Sequence, residues 1–105
     1  MTRRFAIVTD SAGSRPDHAA TANQRDMLTG YLEGKGWPVW HWLEDLWLVV
    51  TSDETVTVLQ IREEIQEAVS ETINVVVLEV ANSKLAGHLP KASVPWLRTH
   101  WKEDT

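Results

Sequence analysis

The sequence predicts one α+β domain, because its size and composition are those of a globular domain and two different periodicities alternate along it. The chain has 105 residues, of which 43% are hydrophobic and 24% are charged, and these proportions are close to globular averages. Short β-branched runs alternate with two longer segments whose apolar residues recur at helical intervals. A chain of this length supports one hydrophobic core, so we expect the strands and helices to share it.

The first strand and the first helix are predicted from residues near the N-terminus. Residues 4–9 (RFAIVT) form a β-prone run, and loop-forming residues follow it. Thr21 and Gln24 have the spacing of a capping box, which predicts that a helix begins there. Apolar residues continue at helical intervals as far as Leu32, and two glycines, the first of them Gly34, then end the helix.

Residues 37–51 predict a β-hairpin that is rich in tryptophan. Two β-prone runs are separated only by Glu44 and Asp45, a pair that tight turns do not favour. If Leu43 pairs with Leu46, alternation divides the side chains between two faces that are both apolar. One face then holds Trp37, Val39, His41, Leu43, Leu46, Leu48 and Val50, and the other holds Trp40, Trp42, Trp47 and Val49.

A second helix and a fourth strand complete the pattern. Thr57 and Gln60 repeat the capping-box spacing, and an apolar stripe begins at Ile61. Residues 73–80 (INVVVLEV) are almost continuously β-branched, as in a strand covered on both faces, so we expect this strand inside the sheet. Two β-α-β halves of similar layout predict a ferredoxin-like βαββαβ sandwich, in which both helices cover one sheet face.

The chain divides into a ferredoxin-like core, residues 1–80, and a C-terminal extension, residues 81–105, with a short helix expected over residues 94–101. Since two helices cover only one face of a sheet, the second apolar face needs cover. The extension provides that cover by packing on the core, or a second copy provides it in a homodimer. The residues expected at a dimer or partner interface are Trp40, Trp42, Trp47, Val49, Trp96 and Trp101.

Composition excludes several classes of protein. The chain lacks cysteine, so it has neither disulfides nor thiolate metal sites, and we expect a cytoplasmic protein. The N-terminal apolar run is too short for a signal peptide, and no run approaches the roughly 20 residues of a membrane span.

The tryptophans and the charge of the chain bear on its partners. Burial in the core or at a dimer interface is the interpretation that we favour for the tryptophans, while a base-stacking platform and a surface for a different protein stay open. The net charge of −5 argues against non-specific binding of nucleic acid. A local basic patch also stays open, formed by Arg3, Arg4, Lys84, Lys91, Arg98 and Lys102.

Asp10 is the candidate metal ligand and catalytic residue. It ends the first strand, where a carboxylate projects from the sheet edge and either caps the loop or binds a divalent cation. Magnesium sites use one or two carboxylates together with substrate phosphates, so a lone aspartate needs its twin across a dimer axis. No two histidines have metal-site spacing, and His41 is expected to pack or hydrogen-bond. Ser11, Ser14 and His18 share a loop without the geometry of a triad.

Three segments resemble a known family. RFAIVTD, GWPVWHWLEDLWLVVT and INVVVLEV resemble the SinR-like proteins, small ferredoxin-like proteins similar to CRISPR-associated protein 2 and the VapD toxins. The resemblance, which covers residues 4–80, implies a homodimer. In the nuclease members, the aspartate matched by Asp10 helps to bind a catalytic magnesium at the dimer interface. Thr9 stands where those members have an aromatic residue, and Arg15 is only a loose match to their arginine.

Two functions follow as hypotheses. The first is a homodimeric endonuclease resembling CRISPR-associated protein 2, in which Asp10 holds magnesium and a bound water is the nucleophile. The second is a non-catalytic interaction module, such as a phage or mobile-element inhibitor of a host defence complex. The net negative charge of the chain would complement a basic nucleic-acid groove of such a complex.

Overall fold

The computed structural model contains one four-stranded antiparallel sheet with its first strand in the interior, and it describes residues 2–10 and 19–102. The elements in chain order are β1 (Arg3–Thr9), α1 (Ala22–Gly34), β2 (Val39–Leu43), β3 (Leu46–Thr51), α2 (Val58–Ala68), β4 (Val75–Val80) and the single turn α3 (Val94–Trp96). The strand order is β2-β3-β1-β4. The predicted α+β class is confirmed. Among the described residues, no helix is long and apolar enough to cross a bilayer.

Both long helices begin at the threonines that the sequence predicts. The Thr21 hydroxyl accepts a hydrogen bond from the Gln24 backbone N–H, and the Gln24 side chain accepts one from the Thr21 N–H, which completes a capping box. The Thr57 hydroxyl accepts from the Gln60 N–H in the same way. The Gln60 side chain instead donates to Glu64, so the second helix has only one of the two hydrogen bonds of a capping box.

The helices α1 and α2 cover one face of the sheet. Trp47 and Val49 of β3 are fully buried in this layer. The indole Nε1 of Trp47 donates to Thr29 Oγ1 on α1 at 2.9 Å, so the one polar atom of this ring is satisfied. The buried members of this core are Phe5, Ile7, Ala20, Leu28, Leu32, Trp47, Val49, Val56, Ile61, Ile65 and Ile73.

The C-terminal extension lies on part of the other sheet face. It continues from a 3₁₀ turn through α3 into a π-type turn that ends at Trp101. Trp101 and Leu97 pack there against Trp40, Leu48 and Val50. This second core is smaller than the first, because the extension is shorter than the two helices together.

The β2–β3 hairpin contains a β-bulge. Leu43 pairs with Leu46, as predicted, but an irregularity between Trp40 and Leu43 brings Trp40 opposite Leu48. One extra residue in a strand moves the side chains before it to the opposite face. The predicted grouping of Trp40 with Trp47 was therefore wrong: Trp40 lies under the C-terminal extension, and Trp47 lies under the helices.

The turn between β2 and β3 explains why a bulge is needed. Among the described residues, no residue other than glycine has a positive φ, so Glu44 and Asp45 cannot form the primed turns that match the twist of a hairpin. Unprimed turns splay the two strands apart. A bulge increases the local right-handed twist and so lets the two strands continue as a pair beyond the turn, with their register shifted by one residue.

The strand β4 lies at an edge of the sheet, so the prediction that residues 73–80 lie inside it was wrong. In the described residues β4 pairs with β1 alone. Val76 and Leu78 point away from the helices and are 54% and 51% exposed. An apolar composition indicates that both faces of a strand favour burial, but it does not indicate how many strands pair with it.

Candidate functional site at the end of the first strand

Asp10 lies immediately after β1, between the start of β4 and the segment that leads into α1. Its backbone carbonyl accepts a hydrogen bond of 2.7 Å from the Ala20 N–H. Its carboxylate Oδ2 accepts from the Asn74 side-chain amide at 3.4 Å. A half-buried carboxylate with this one described side-chain partner keeps acceptor positions for a ligand.

A shallow surface recess of about 460 Å³ contains Asp10. The end of β1 and the start of β4 line it, and each contributes both polar and apolar residues. Its lining residues are Val8, Thr9, Asp10, Asn74, Val75 and Val76.

A polar network fixes the backbone beside Asp10. Thr9 Oγ1 donates to Asp45 Oδ1 at 2.7 Å, and the Thr9 N–H donates to the Asp45 carbonyl at 3.0 Å. The Arg25 guanidinium lies 3.7 Å from the same carboxylate and donates to the Ala20 carbonyl at 2.8 Å. The end of β1, the hairpin turn and the start of α1 are thereby joined. Thr9, which departs from the family pattern, serves this network.

Residues 11–18 lie outside the described residues. The predictions for Ser11, Ser14 and His18, and for Arg15 as the loose match to the family's arginine, therefore stay predictions. Asp10 stands at the last described position before this segment.

The described part of one chain does not supply a complete metal site. Over residues 2–10 and 19–102 there is no group of three or more His, Cys, Asp or Glu side chains that could hold a metal ion. A divalent cation at Asp10 would need further oxygen ligands from elsewhere, such as a second chain or substrate phosphates.

The prediction for His41 is confirmed. Its ring stacks on Trp47 with the centroids 4.2 Å apart. Its Nε2 lies 2.9 Å from the Glu44 carbonyl, to which it donates, and its Nδ1 lies 3.3 Å from Thr29 Oγ1. His41 therefore links the hairpin turn to α1.

The predicted interface residues are divided between three positions. Trp47 and Val49 lie in the core under the helices, and Trp40 and Trp101 are buried under or within the C-terminal extension. Trp96 is half-buried. Trp42 is 48% exposed, so it presents the largest free surface of the six within one chain.

A further exposed apolar surface on the sheet lies on a different set of residues. Val8 pairs with Val76, and Leu78 follows two residues later on the same face. We call these three residues the bare sheet patch, because the extension covers the opposite half of that face. Sequence reasoning missed the patch because β4 was expected inside the sheet, although the alternation along residues 75–80 places Val76 and Leu78 together.

The predicted basic patch is not a single surface. The Arg3 guanidinium binds both carboxylate oxygens of Glu79 at 3.0 Å. This contact raises the pKa of Arg3 and lowers the pKa of Glu79. Arg4 is buried and bound to the backbone of Trp101. In the extension, Arg98 and Lys102 line one recess and Lys91 and Arg98 line another, so part of the predicted group of cations lies together there.

No model of a protein family, no curated protein and no solved structure matches this chain. Its function is therefore inferred from the geometry of the site and the surfaces around it.

Proposed function

We propose that the chain is a cytoplasmic, ferredoxin-like homodimer resembling CRISPR-associated protein 2, in which two copies of Asp10 form a magnesium-dependent endonuclease site. The observation that most supports this function is the position of Asp10 at the rim of the bare sheet patch. The βαββαβ order and the strand order β2-β3-β1-β4 support the ferredoxin-like arrangement.

The chemistry of β4 supports a second copy as the occupant of the bare sheet patch. Edge strands normally carry charges, prolines or bulges that prevent pairing with other chains. The only charged residue of β4 is Glu79, whose carboxylate faces the helix side and is held by Arg3. A twofold contact places identical surfaces against each other, so an uncharged apolar strip such as this one is self-complementary.

Dimerisation through this patch would also complete the metal site. Asp10 follows Val8 by two residues, so a contact centred on the patch brings the two Asp10 carboxylates toward one axis. Two carboxylates and substrate phosphates are a usual magnesium environment. When bound, magnesium supplies a polarised water and offsets the charge of the phosphodiester. Asn74 orients each carboxylate, and the bonds between Thr9 and Asp45 hold the strand end in place.

The dimer is tested separately from the catalysis. We expect the wild-type chain to sediment as a dimer at micromolar concentration and Leu78→Lys to sediment as a monomer. Leu59→Lys is the matched control, because Leu59 on α2 is 55% exposed, close to the exposure of Leu78. A monomeric wild type, or equal dissociation of the two variants, would contradict the dimer.

The catalysis is tested by cleavage of single-stranded RNA and duplex DNA with magnesium. We expect Asp10→Asn to lose cleavage while it keeps the dimer. Asp26→Asn, which changes an exposed carboxylate on α1, should keep both. Equal cleavage by wild type and Asp10→Asn, or none by the wild type, would refute the nuclease and leave the dimer standing.

A second candidate function is a non-catalytic interaction module, such as a phage or mobile-element inhibitor of a host defence complex. The observation that favours it is the acidic surface of α2 and the turn after it, where Glu63, Glu67 and Glu71 line one broad recess. A surface of one sign selects a partner of the opposite sign. We expect Glu63→Lys with Glu67→Lys to abolish co-purification of a basic host partner, and Glu33→Lys on α1 to preserve it.

A further inference from the structure

An apolar cavity lies between the second face of the sheet and the first part of the C-terminal extension. Its volume is about 290 Å³, at the lower end of the range for small-molecule sites. Among the described lining residues, His88 is the one with an ionisable side chain, and the indole N–H of Trp40 donates to the Ser93 carbonyl. The lining residues are Trp40, Leu43, Leu46, Leu48, Leu85, Ala86, Gly87, His88, Leu89 and Leu97.

A second recess of about 230 Å³ adjoins this cavity. The two spaces share the wall formed by Leu85, Gly87, His88, Leu89 and Leu97. The second recess differs from the first because Arg98 and Lys102 line it. The first recess is therefore apolar, the second carries two cationic side chains, and His88 lines both.

The charge of the extension is opposite to that of the chain as a whole. Residues 81–105 contain four lysines and arginines against two acidic residues, Glu103 and Asp104, a formal charge of +2, although the chain has a net charge of −5. Within the described residues, no carboxylate forms an ion pair with Arg98 or Lys102. Among the residues that the structure describes, no side-chain carboxylate therefore neutralises the two cations that line the second recess.

We propose that the two recesses join around their shared lining residues and together bind a small amphipathic carboxylate, such as a medium-chain fatty acid anion. The alkyl chain would lie among Trp40, Leu46 and Leu48, where it is removed from water. The carboxylate would lie at Arg98 and Lys102, since the guanidinium group matches the planar geometry of a carboxylate. This site shares no residue with the recess at Asp10 and does not depend on the proposed nuclease.

Titration of the full chain with acetate, hexanoate, octanoate and octanol tests both ends of the site. Octanoate has a longer alkyl chain than hexanoate, and calorimetry should show that each added methylene tightens binding about fourfold. Acetate should show no measurable binding. Octanol should bind at least tenfold more weakly than octanoate. Because Trp40 lines the cavity, octanoate should also change the tryptophan fluorescence, and Trp40→Phe should reduce that change.

Two kinds of variant separate the apolar end from the charged end. Arg98→Gln with Lys102→Gln should weaken octanoate at least tenfold and leave octanol unchanged. Leu43→Trp, at a partly exposed lining position that tolerates a larger side chain, should weaken both. Arg62→Gln on α2 should weaken neither. Octanol binding as tight as octanoate, full affinity in the Arg98 and Lys102 double variant, or no octanoate binding by the wild type would each overturn the proposal.

Discussion

Arg4 on the central strand donates a hydrogen bond of 2.6 Å from Nε to the backbone carbonyl of Trp101, so the second residue of β1 holds the end of the C-terminal extension. Both residues are buried. A buried guanidinium needs bonded partners, and a turn at the end of a helical segment has carbonyls without internal donors. This bond gives the Trp101 carbonyl a donor and the Arg4 guanidinium one of its partners.

Replacement of Arg4 by methionine should destabilise the chain by about 2 kcal/mol, because the charged donor to Trp101 is lost and its carbonyl stays buried. Urea unfolding followed by tryptophan fluorescence measures this change. The exposed Arg62, on α2, provides the control, and Arg62→Met should shift the free energy of unfolding by less than about 0.5 kcal/mol. Equal effects of the two variants would show that Arg4 does not hold the extension.

Tryptophan truncation should separate the buried from the exposed indoles. Trp101→Ala leaves a cavity under the sheet face and should cost about 3 kcal/mol or more. Trp42→Ala removes a half-exposed ring and should cost under about 1 kcal/mol. Trp101→Phe should cost much less than Trp101→Ala, because the indole Nε1 of Trp101 is buried without a described partner. Thermal and urea unfolding of the three variants gives this order.

Thr9→Val should weaken the junction between β1 and the hairpin turn. The substitution keeps the shape of the side chain and removes the hydroxyl that donates to the Asp45 carboxylate, at a cost of about 1 kcal/mol for a partly exposed bond. Thr55→Val removes a hydroxyl that donates to the exposed Asp53 carboxylate and should cost less. If Thr55→Val costs as much as Thr9→Val in urea unfolding, the junction has no special role.

The contact between Tyr31 and Glu64 should make stability depend on pH. The Tyr31 hydroxyl donates to Glu64 Oε1 at 2.7 Å, and this bond is the main cause that lowers the pKa of Glu64, followed by the bond from Gln60. A lowered pKa means that the stabilisation is complete above the unfolded value of about 4.3 and is lost as pH falls through the folded value. Tyr31→Phe should therefore lose more stability at pH 7 than at pH 3.

At alkaline pH, the contact between Tyr31 and Glu64 should change stability with pH in the opposite direction. Burial, together with the bond to Glu64, raises the pKa of Tyr31. Stability should therefore fall as pH rises above the unfolded tyrosine value of about 10, and Tyr31→Phe should flatten that fall. If the difference in the free energy of unfolding between wild type and Tyr31→Phe stays constant from pH 3 to pH 11, both the acidic and the alkaline predictions are contradicted.

Local signals in the sequence predicted the parts of the fold that depend on neighbouring residues. The caps at Thr21 and Thr57 were found because each cap and its donor are three residues apart. The bulge in β2 was missed because it depends on the geometry of the turn, and the edge position of β4 was missed because it depends on which strands lie side by side. Hydrophobic alternation carries no information about that choice.

The surroundings of the candidate site were less predictable than its first residue. Asp10 was identified because it follows a strand-forming run. Asn74, Asp45 and Arg25 come from three other segments, and no spacing in the sequence relates them to Asp10. The apolar cavity was also missed, because it exists only where the extension crosses the sheet.

The central place of β1 has a consequence for how the chain reaches its native state. This strand is synthesised first, yet the two strands that flank it come much later in the sequence. Loops must close over long separations before either ladder forms, and such topologies fold slowly. During synthesis the run RFAIVT is therefore exposed before the strands that pair with it have been made. An unpaired apolar strand is a site of misassociation.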